Sequence, residues 1–484
     1  MTQIERPNHD QQTMPGEQET GYHMSPEEFR RCGHQVVDWV ADYMERVATL
    51  LVHSAVAPGE ILAKLPAAAP EDPESFEAIL ADLDAIVLPG LAHWQSPGWF
   101  AFFPANASPP SVLGELAAAG LGVQGMLWAT SPACTEIEMR VLDWLVDLLG
   151  LPESWKHAVG PGGGVIQSSA SDSTHLAHVV ARRLATERGG AVDDAVAYAS
   201  AESHSSIEKG AKIAGFRHIR LVEVDECFAL RPRALERAVS EDRAAGLEPA
   251  IVTSTLGTTG TAAVDPLSEV ARIARERGLW HHVDAAYGGS TMICPELRTR
   301  QRGAELADSY TFNPHKGMFT NFDCSVLWVA DRAPLLQTTS ILPPYLQNEA
   351  SAAGAVVDFR DWQVSLGRRF RALKLWWVLR SYGASGIRHH IREHLRLAES
   401  LAERVQRHPR LELIAPVSFA LVSFRHREGD SATDALARAI NAAGDVYVTP
   451  SSVNGSRFIR VSIGQTWTGR EHVDRLWQIV ADAV

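Results

Sequence analysis

The sequence predicts an α/β protein with a mostly parallel central sheet flanked by helices. Two observations support this fold class. Between residues 160 and 330, short apolar runs alternate with stretches of helical periodicity, and such alternation requires crossover connections and a largely parallel sheet. The chain of 484 residues is also too long for one small core and fits a large domain with smaller attachments.

The chain begins with a polar lead-in and a helical segment. Residues 1–22 are rich in Gln, Glu, Pro and Asn, which predicts a disordered lead-in. In SPEEF, Ser25 is typical of a helix N-cap, with Pro26 at the first helical position and Glu28 completing a capping box. We expect residues 23–108 to form a helical N-terminal segment that cannot bury its apolar face alone.

The central region, residues 109–373, is expected to form the large domain. Its predicted strands are AVAYAS (195–200), HIRLVEV (218–224), AIVTSTL (250–256), LWHHVDAA (279–286), SYTFN (309–313) and CSVLWVA (324–330). Its predicted helices include 173–187, 232–245 and 267–277. Ligands of such sheets bind at the loops that follow the carboxyl ends of the strands.

The last region, residues 374–484, predicts a small C-terminal α/β domain. Long helical stretches alternate there with the strand-like runs ALVSFRH (420–426) and FIRVSIG (458–464).

Composition and charge exclude several classes of partner. A net charge of −13 argues against a nucleic acid or an anionic membrane surface as partner. The chain shows neither an apolar leader nor a stretch of membrane-spanning length, so we expect a cytoplasmic protein without a membrane partner. The five cysteines are scattered and never form a CxxC pair, which predicts neither a disulfide framework nor a zinc site, and no other metal site is predicted.

Lys316 is a candidate cofactor lysine. It is one of six lysines and stands in SYTFNPHKGMFTNFDCS, between two apolar strand-like runs. A buried ammonium is unfavourable, so its amine tends to lose a proton or to form an imine with an aldehyde cofactor. A lysine that extends to the surface is the common alternative, and this residue alone does not decide between the two.

Three further features accompany this lysine. Asp284 ends the apolar run HHVD, where a carboxylate could keep the pyridine nitrogen of pyridoxal 5′-phosphate (PLP) protonated, although a cap or turn is an equal alternative. GPGGGVIQSSASDST (160–174) predicts a glycine-rich loop and a helix start that suits a phosphate. Its spacing fits neither a dinucleotide fingerprint nor a P-loop. His204 could stack on a flat ring, although a lone histidine is more often structural.

These motifs, taken together and in order, resemble the PLP-dependent group II decarboxylases of the aromatic-L-amino-acid decarboxylase type. The resemblance runs from about residue 24 to the C-terminus. The motifs that carry it are HWQSPGWFAFFPA (93–105), WATSPACTEIE (128–138), GGGVIQSSAS (162–171), SHSS (203–206), TLGTTG (255–260), HVDAAYGGS (282–290), NPHKGMFTNFDCS (313–325) and DWQVSLGRRFRALKLW (361–376). The resemblance implies the PLP-dependent transferase fold type I (aspartate-aminotransferase-like) and a homodimer whose N-terminal helices wrap the partner.

The resemblance also implies a role for each residue of a cofactor site. Lys316 would hold the cofactor as a Schiff base, Asp284 would pair with the pyridinium, and His204 would stack over the ring. The phosphate positions match Ala170, Ser171, Asn313 and His315, and further cofactor neighbours match Thr259 and Ala286.

Tyr345 matches the tyrosine of the family's mobile catalytic loop. The resemblance makes it the first choice for the acid that protonates Cα after CO2 leaves, with His204 second. Relatives with Phe at this position, or with a changed histidine, tend to form aldehydes. The presence of both residues therefore favours simple decarboxylation to the amine.

The substrate wall of the family matches Trp94, Phe102, Phe103 and Pro104. No basic residue accompanies them, which favours an aromatic substrate over glutamate or aspartate. Gly367 matches a position where plant relatives with Gly tend to use indole substrates. This favours tryptophan or a substituted tryptophan, with Phe, Tyr and Dopa still open and a simple backbone turn as the other interpretation.

Three positions depart from the family pattern. Gly317 stands where relatives usually have Trp, Ala105 where Thr is frequent, and Met126 lies in a segment whose Phe often reaches the neighbouring subunit's pocket. These departures concern substrate size and leave the PLP set intact. An aldehyde synthase and a decarboxylase of a non-aromatic amino acid such as glutamate remain the alternatives; a non-catalytic protein and a nicotinamide-dependent enzyme are disfavoured.

Overall fold

The computed structural model describes residues 22–341 and 356–484. Seven strands form the central sheet in the order β1-β7-β6-β5-β4-β2-β3. Their bounds are β1 Gly163–Gln167, β2 Ala195–Ser200, β3 His218–Val222, β4 Glu248–Thr255, β5 Trp280–Asp284, β6 Ser309–Phe312 and β7 Ser325–Val329. From β6 through β5, β4 and β2 to β3 the pairing is parallel, whereas β7 is antiparallel to both β1 and β6. The predicted α/β class with a mostly parallel sheet is confirmed, and all six predicted strands belong to this sheet.

Helices cover both faces of the sheet. In the larger unit these helices are α4 Pro109–Leu121, α5 Pro132–Leu149, α6 Ala170–Glu187, α7 Ser205–Ile213, α8 Pro232–Ala244, α9 Leu267–Arg277, α10 Pro314–Gly317 and α11 Ala333–Thr339. Neighbouring residues of β2 pack in opposite directions: Ala197 joins a cluster with α6, and Val196 joins one with α8 and α9. Burial on both faces explains why the predicted strands are continuously apolar.

The glycine-rich stretch predicted as a loop is instead strand β1, so that prediction is wrong. A Cβ at Gly163 would lie 2.6 Å from the indole of Trp362, and one at Gly164 would lie 2.6 Å from the indole of Trp328. The glycines allow two large rings to pack directly on the strand backbone. The phosphate-type helix start follows the strand at Ser169, whose side chain accepts the backbone N–H of Asp172 in a capping box.

The C-terminal residues form a second sheet. Its order is β10-β11-β9-β8, with all neighbours antiparallel. The elements are α12 Arg371–Arg407, β8 Leu411–Leu413, β9 Leu421–His426, α13 Asp430–Ala442, β10 Thr449–Val453, β11 Ser456–Ser462 and α14 Arg470–Ala483. Helix α12 breaks at Gly383, where φ is 61°. The two predicted strands correspond to β9 and β11.

The chain divides into two compact units, one containing the residues up to Arg46 with Ala55–Gly90, the other Val47–Ser54 with Leu91–Val484. The first unit contains α1 Pro26–Arg46, α2 Glu60–Lys64 and α3 Phe76–Asp82. The predicted capping box is present, since the N–H of Ser25 donates to Glu28 at 2.9 Å and the N–H of Glu28 donates to the Ser25 hydroxyl at 3.2 Å. The predicted domain boundaries at residues 22, 108 and 373 stay predictions.

No helix within the two described ranges is long and apolar enough to cross a membrane.

Candidate active site

A cavity of about 220 Å³ lies at the carboxyl ends of the parallel strands of the central sheet. The residues predicted to bind the cofactor all line this cavity: Ala170, Ser171, His204, Thr259, Asp284, Ala286, Asn313, His315 and Lys316. They come from loops after β2, β4, β5 and β6 and from the start of α6. The parallel sheet therefore brings together residues that are far apart in sequence, although their individual roles stay predictions.

Lys316 lies in the short helix α10, directly after β6, and is partly buried. Its Nζ is 4.9 Å from the centroid of the Phe103 ring. Burial lowers the pKa of Lys316 from 10.5 to about 8, with Asp284 opposing this shift and Arg460 adding to it. An amine with this pKa has a substantial neutral, nucleophilic fraction near neutral pH.

Asp284 is the last residue of β5, and its side chain is 4 % exposed. One carboxylate oxygen accepts the backbone N–H of Ala286 at 3.0 Å. This bond fixes the carboxylate at the cavity wall and leaves the other oxygen available to a ligand. A carboxylate in this position can pair with a protonated ring nitrogen.

His204 caps the N-terminus of α7. Its Nδ1 accepts the backbone N–H of Ser206 at 3.2 Å. Burial lowers the pKa of His204, with Lys316 adding to the shift and Asp284 opposing it, so the ring is neutral near pH 7. Since a backbone N–H can only donate, Nδ1 is the acceptor and the ring proton lies on Nε2.

His315 has the same tautomer for the same reason. Its Nδ1 accepts the backbone N–H of Cys324 at 2.9 Å. Burial, followed by the charges of Lys316 and Lys374, lowers the pKa of His315 to about 3. The imidazole is therefore neutral and can donate its Nε2–H to an anionic group. A buried carboxylate in the same place would suit an anionic group less well.

Buried polar atoms and a helix start make the cavity suitable for PLP. Thr255 and Asn313 line it, and Thr255 Oγ1 and Asn313 Oδ1 are buried without a hydrogen-bond partner among the described residues. Buried polar atoms without partners are unfavourable, so a polar ligand that completes them fits here. Ala170 and Ser171 begin an 18-residue helix, and the first N–H groups of a helix have no intrahelical acceptor and favour a phosphate.

The residues predicted to form the substrate wall do not all meet in this cavity. Phe103 lines it, stacked on the ring of Tyr287 at 4.0 Å between centroids. Trp94 and Phe102 instead pack on each other at 5.6 Å on an exposed surface, with 37 % and 48 % of their side chains accessible. Gly367 is exposed and lies outside the cavity. The substrate roles of these residues stay predictions.

A second, smaller cavity of about 30 Å³ borders Lys316 on another side. Pro104 and Gly317 line it together with His394. A Cβ at Gly317 would lie 2.8 Å from the Cβ of Ser290, so the backbone here is closely packed against the segment that follows β5. The predicted loop tyrosine, Tyr345, lies outside the described residues.

Arg460 is a site residue that the sequence analysis missed. It lies on β11 and is 4 % exposed, and its guanidinium is 4.9 Å from the centroid of the Phe103 ring. Its Nη2 donates to the carbonyl of Phe102 at 3.2 Å, it forms no ion pair within the described ranges, and burial lowers its pKa to about 10. A basic residue therefore lies next to Phe103, and the expectation that no base pairs with a side-chain carboxylate of the substrate stays a prediction. A charged residue inside the apolar run FIRVSIG was the available signal.

Comparison with known proteins shows the family of this chain. Residues 58–427 match the family model described as "Pyridoxal-dependent decarboxylase conserved domain". The chain is 43 % identical to phenylacetaldehyde synthase of Arabidopsis thaliana and 41 % identical to tryptophan decarboxylase 2 of Oryza sativa subsp. japonica. These alignments cover 95 % of this chain and 96 % and 95 % of the relatives.

Among solved structures, the chain superposes on the crystal structure of Oryza sativa TDC with PLP and tryptamine with a TM-score of 0.93. The two are 36 % identical, and the match covers 95 % of this chain and 98 % of that one. The predicted fold type I, the cofactor PLP and the predicted class of enzyme, an amino-acid decarboxylase, are confirmed. On its sequence, fold and site, this chain belongs to the pyridoxal-dependent decarboxylase family.

Proposed function

We propose that this decarboxylase releases CO2 from an aromatic L-amino acid, with tryptophan or a substituted tryptophan favoured, and that Lys316 binds the cofactor. One observation carries the proposal. The nine predicted cofactor residues line one cavity, next to the buried guanidinium of Arg460, which has no carboxylate partner in the described part of the chain.

The proposed placement of the cofactor follows from the donors and acceptors of the cavity. The phosphate would be bound by the helix start at Ala170 and Ser171 together with Asn313 and the Nε2–H of His315. Asp284 would hold the ring nitrogen protonated. When bound, PLP supplies an electron sink for the electron pair that the departing CO2 leaves on the substrate.

Arg460 is proposed to bind the α-carboxylate of the substrate. Its guanidinium and the Nζ of Lys316 each lie 4.9 Å from the ring of Phe103, and the charge of Arg460 lowers the pKa of Lys316. Both observations support a carboxylate bound to Arg460 near the reactive lysine. A guanidinium binds a carboxylate with two parallel hydrogen bonds, which restricts the orientation of the bond that breaks. This interaction serves every α-amino acid and does not select the side chain.

The proton that Cα takes up after CO2 leaves needs a donor close to the reacting carbon. We assign Tyr345 first and His204 second. The Nε2–H tautomer of His204 supports the second assignment, because a neutral imidazole that holds this proton can donate it.

The preference for an aromatic side chain rests on Phe103 at the cavity wall and on relatives that are named for aromatic substrates. One of those relatives is an aldehyde synthase, so the oxidative reaction is the second candidate. The presence of both His204 and Tyr345 favours the amine. Gly367 supports tryptophan through the resemblance alone.

A homodimer is part of the proposal. Trp94 and Phe102 form an aromatic pair that is partly exposed on the single chain, and exposed aromatic clusters mark interaction sites. In the first unit, Phe29 on α1 is 61 % exposed. A second copy of the chain would cover such surfaces. A cytoplasmic location is supported by five cysteines that are all free thiols.

The test is an absorbance spectrum of the protein purified with PLP, followed by product analysis with Trp, 5-hydroxy-Trp, Phe, Tyr, Dopa and Glu. We expect a visible band that Lys316→Ala lacks, and an amine from an aromatic substrate. Aldehyde with hydrogen peroxide would favour the second candidate. A band that persists in Lys316→Ala would contradict the role of the lysine, and amine from Glu alone would contradict the aromatic preference.

A further inference from the structure

A cavity of about 360 Å³, here called the rear cavity, lies at the end of the central sheet opposite the active site. Ala250 and Trp280, near the starts of β4 and β5, line it, and helices α6 and α9 supply its walls. The active-site residues follow the carboxyl ends of the same parallel strands. A ligand in the rear cavity therefore binds at a separate place from the cofactor.

The floor of the rear cavity is apolar. Leu279 and Trp280 line it and are 5 % and 8 % exposed, respectively. Leu184 of α6 and Leu306 complete an apolar surface around them. A side chain of a ligand that covers this floor removes apolar surface from water, at about 25 cal/mol for each Å² buried.

The rim of the rear cavity carries charges of both signs. Arg275 on α9 is exposed and forms no ion pair among the residues that the structure describes, whereas Arg188 is already paired with Glu248 at 3.2 Å. Asp308 is half-buried and uses one oxygen to accept the backbone N–H of His281 at 2.7 Å. Burial raises the pKa of Asp308 to about 6, and the charge of Arg275 opposes this shift, so the two groups lie near each other beside one apolar floor. Asp331 also lines the cavity.

We propose that the rear cavity binds a zwitterionic α-amino acid with an apolar side chain. Arg275 binds its carboxylate, Asp308 binds its ammonium, and the side chain covers Trp280 and Leu279. A ligand with one charge fits less well, because an amine makes no ion pair with Arg275 and a fatty acid makes none with Asp308. The two complementary charges and the apolar floor select the zwitterion.

The test is calorimetric titration of the PLP-loaded enzyme with L-leucine, which has the predicted charges and no aromatic ring. 3-Methylbutylamine and 4-methylpentanoate, each of which lacks one charge, serve as matched probes. We expect leucine to bind with a Kd below about 10 mM and both analogues to bind at least about tenfold more weakly.

Substitutions in the enzyme test whether leucine binds in the rear cavity. Arg275→Ala and Asp308→Asn should each weaken leucine binding about tenfold or more. Arg272→Ala is the control, because Arg272 is an exposed residue of the same helix and does not line the cavity. Lys316→Ala should keep the binding, which separates the rear cavity from the active site.

Four results would overturn the proposal. These are no leucine binding at about 10 mM, equal binding of either single-charge analogue, loss of binding in Lys316→Ala, or unchanged binding in Arg275→Ala. Arg275 is exposed, so its replacement leaves the fold intact, and circular dichroism checks this for every variant. Failure here leaves the proposed decarboxylation untouched, since that rests on residues of the other cavity.

Discussion

At the scale of single residues, two cationic groups of the active site lie near the ring of Phe103. The Nζ of Lys316 and the guanidinium of Arg460 each lie 4.9 Å from the centroid of its ring. Both groups have a lowered pKa, to about 8 and about 10, chiefly because both are buried. The charge of Arg460 adds to the lowering of the Lys316 pKa.

Replacement of Arg460 tests its proposed role. Arg460→Met should lower kcat/KM by about 10- to 100-fold, because a charged hydrogen-bond partner of the substrate carboxylate is lost. Arg457→Met is the control, since Arg457 lies on the same strand and pairs with Asp434 away from the cavity. Steady-state kinetics with the preferred substrate decide the point. Equal effects of the two replacements would argue against substrate binding by Arg460.

The lowered pKa of Lys316 predicts how the cofactor-free protein captures PLP. The neutral amine is the reacting form, and it accumulates as pH rises through about 8 instead of 10.5. The capture rate, followed by absorbance, should therefore rise with a midpoint near pH 8. In Asp284→Asn the midpoint should move to lower pH, because the Asp284 carboxylate raises the pKa of Lys316. A midpoint near 10.5 would refute the interpretation.

The sequence predicted the cofactor residues because each lies in a contiguous motif with a recognisable chemical purpose. Lys316 and Asp284 end or follow apolar strands, so their position at one edge of a parallel sheet follows from the topology. Arg460 could not be found in this way. It comes from the second sheet, and its approach to Phe103 depends on packing between elements that are distant in sequence.

At the scale of elements, one buried ion pair joins helix α5 to the central sheet. Arg368 Nη2 donates to Glu138 at 2.7 Å, with side chains 1 % and 0 % exposed. Arg368 also donates to the carbonyl of Ile166 in β1, and Glu138 accepts the N–H of Ile166 at 2.8 Å. The pair therefore fixes the position of the strand that leads into α6.

Breaking this pair should be strongly destabilising. Arg368→Met leaves the Glu138 carboxylate buried without its cation, which costs about 3–5 kcal/mol. The double variant Arg368→Met with Glu138→Met should be more stable than the single variant, because no charge remains buried. Urea unfolding of the three proteins measures both effects. A double variant less stable than Arg368→Met would show that loss of the hydrogen bond from the N–H of Ile166 to Glu138 outweighs removal of the buried charge.

Strand β1 shows where element prediction failed. A run of three glycines is typical of a loop when only local sequence is read. Its conformation as a strand depends on Trp328 of β7 and Trp362, whose indoles occupy the space that side chains at Gly164 and Gly163 would need. Neither contact is local, so periodicity could not predict them.

At the scale of the whole molecule, the parallel part of the central sheet was predictable. Helices that alternate with strands act as crossover connections, which make neighbouring strands run parallel. Strand β7 was predicted, but its antiparallel direction was not. At the end of the alternating region, the direction of a strand depends on the connection that leads into it and not on its apolar pattern.

Removal of the N-terminal segment tests the proposed dimer. A variant that begins at Pro110 loses the three helices of the first unit and the exposed pair Trp94 and Phe102. We expect this variant to be insoluble, or monomeric and inactive. Light scattering after size-exclusion chromatography gives the mass, and the decarboxylation assay gives the activity. A soluble, active truncation would refute the requirement for this segment.

The histidine tautomers of the active site determine which groups exchange protons when the cofactor arrives. His204 and His315 both accept a backbone N–H at Nδ1, and both have a lowered pKa. Neither ring needs to gain or lose a proton near pH 7. Among these side chains, Lys316 is the one that must lose a proton, because its ammonium has to become a free amine before it reacts. The heat of uptake should accordingly depend on the ionisation enthalpy of the buffer, in part through this side chain.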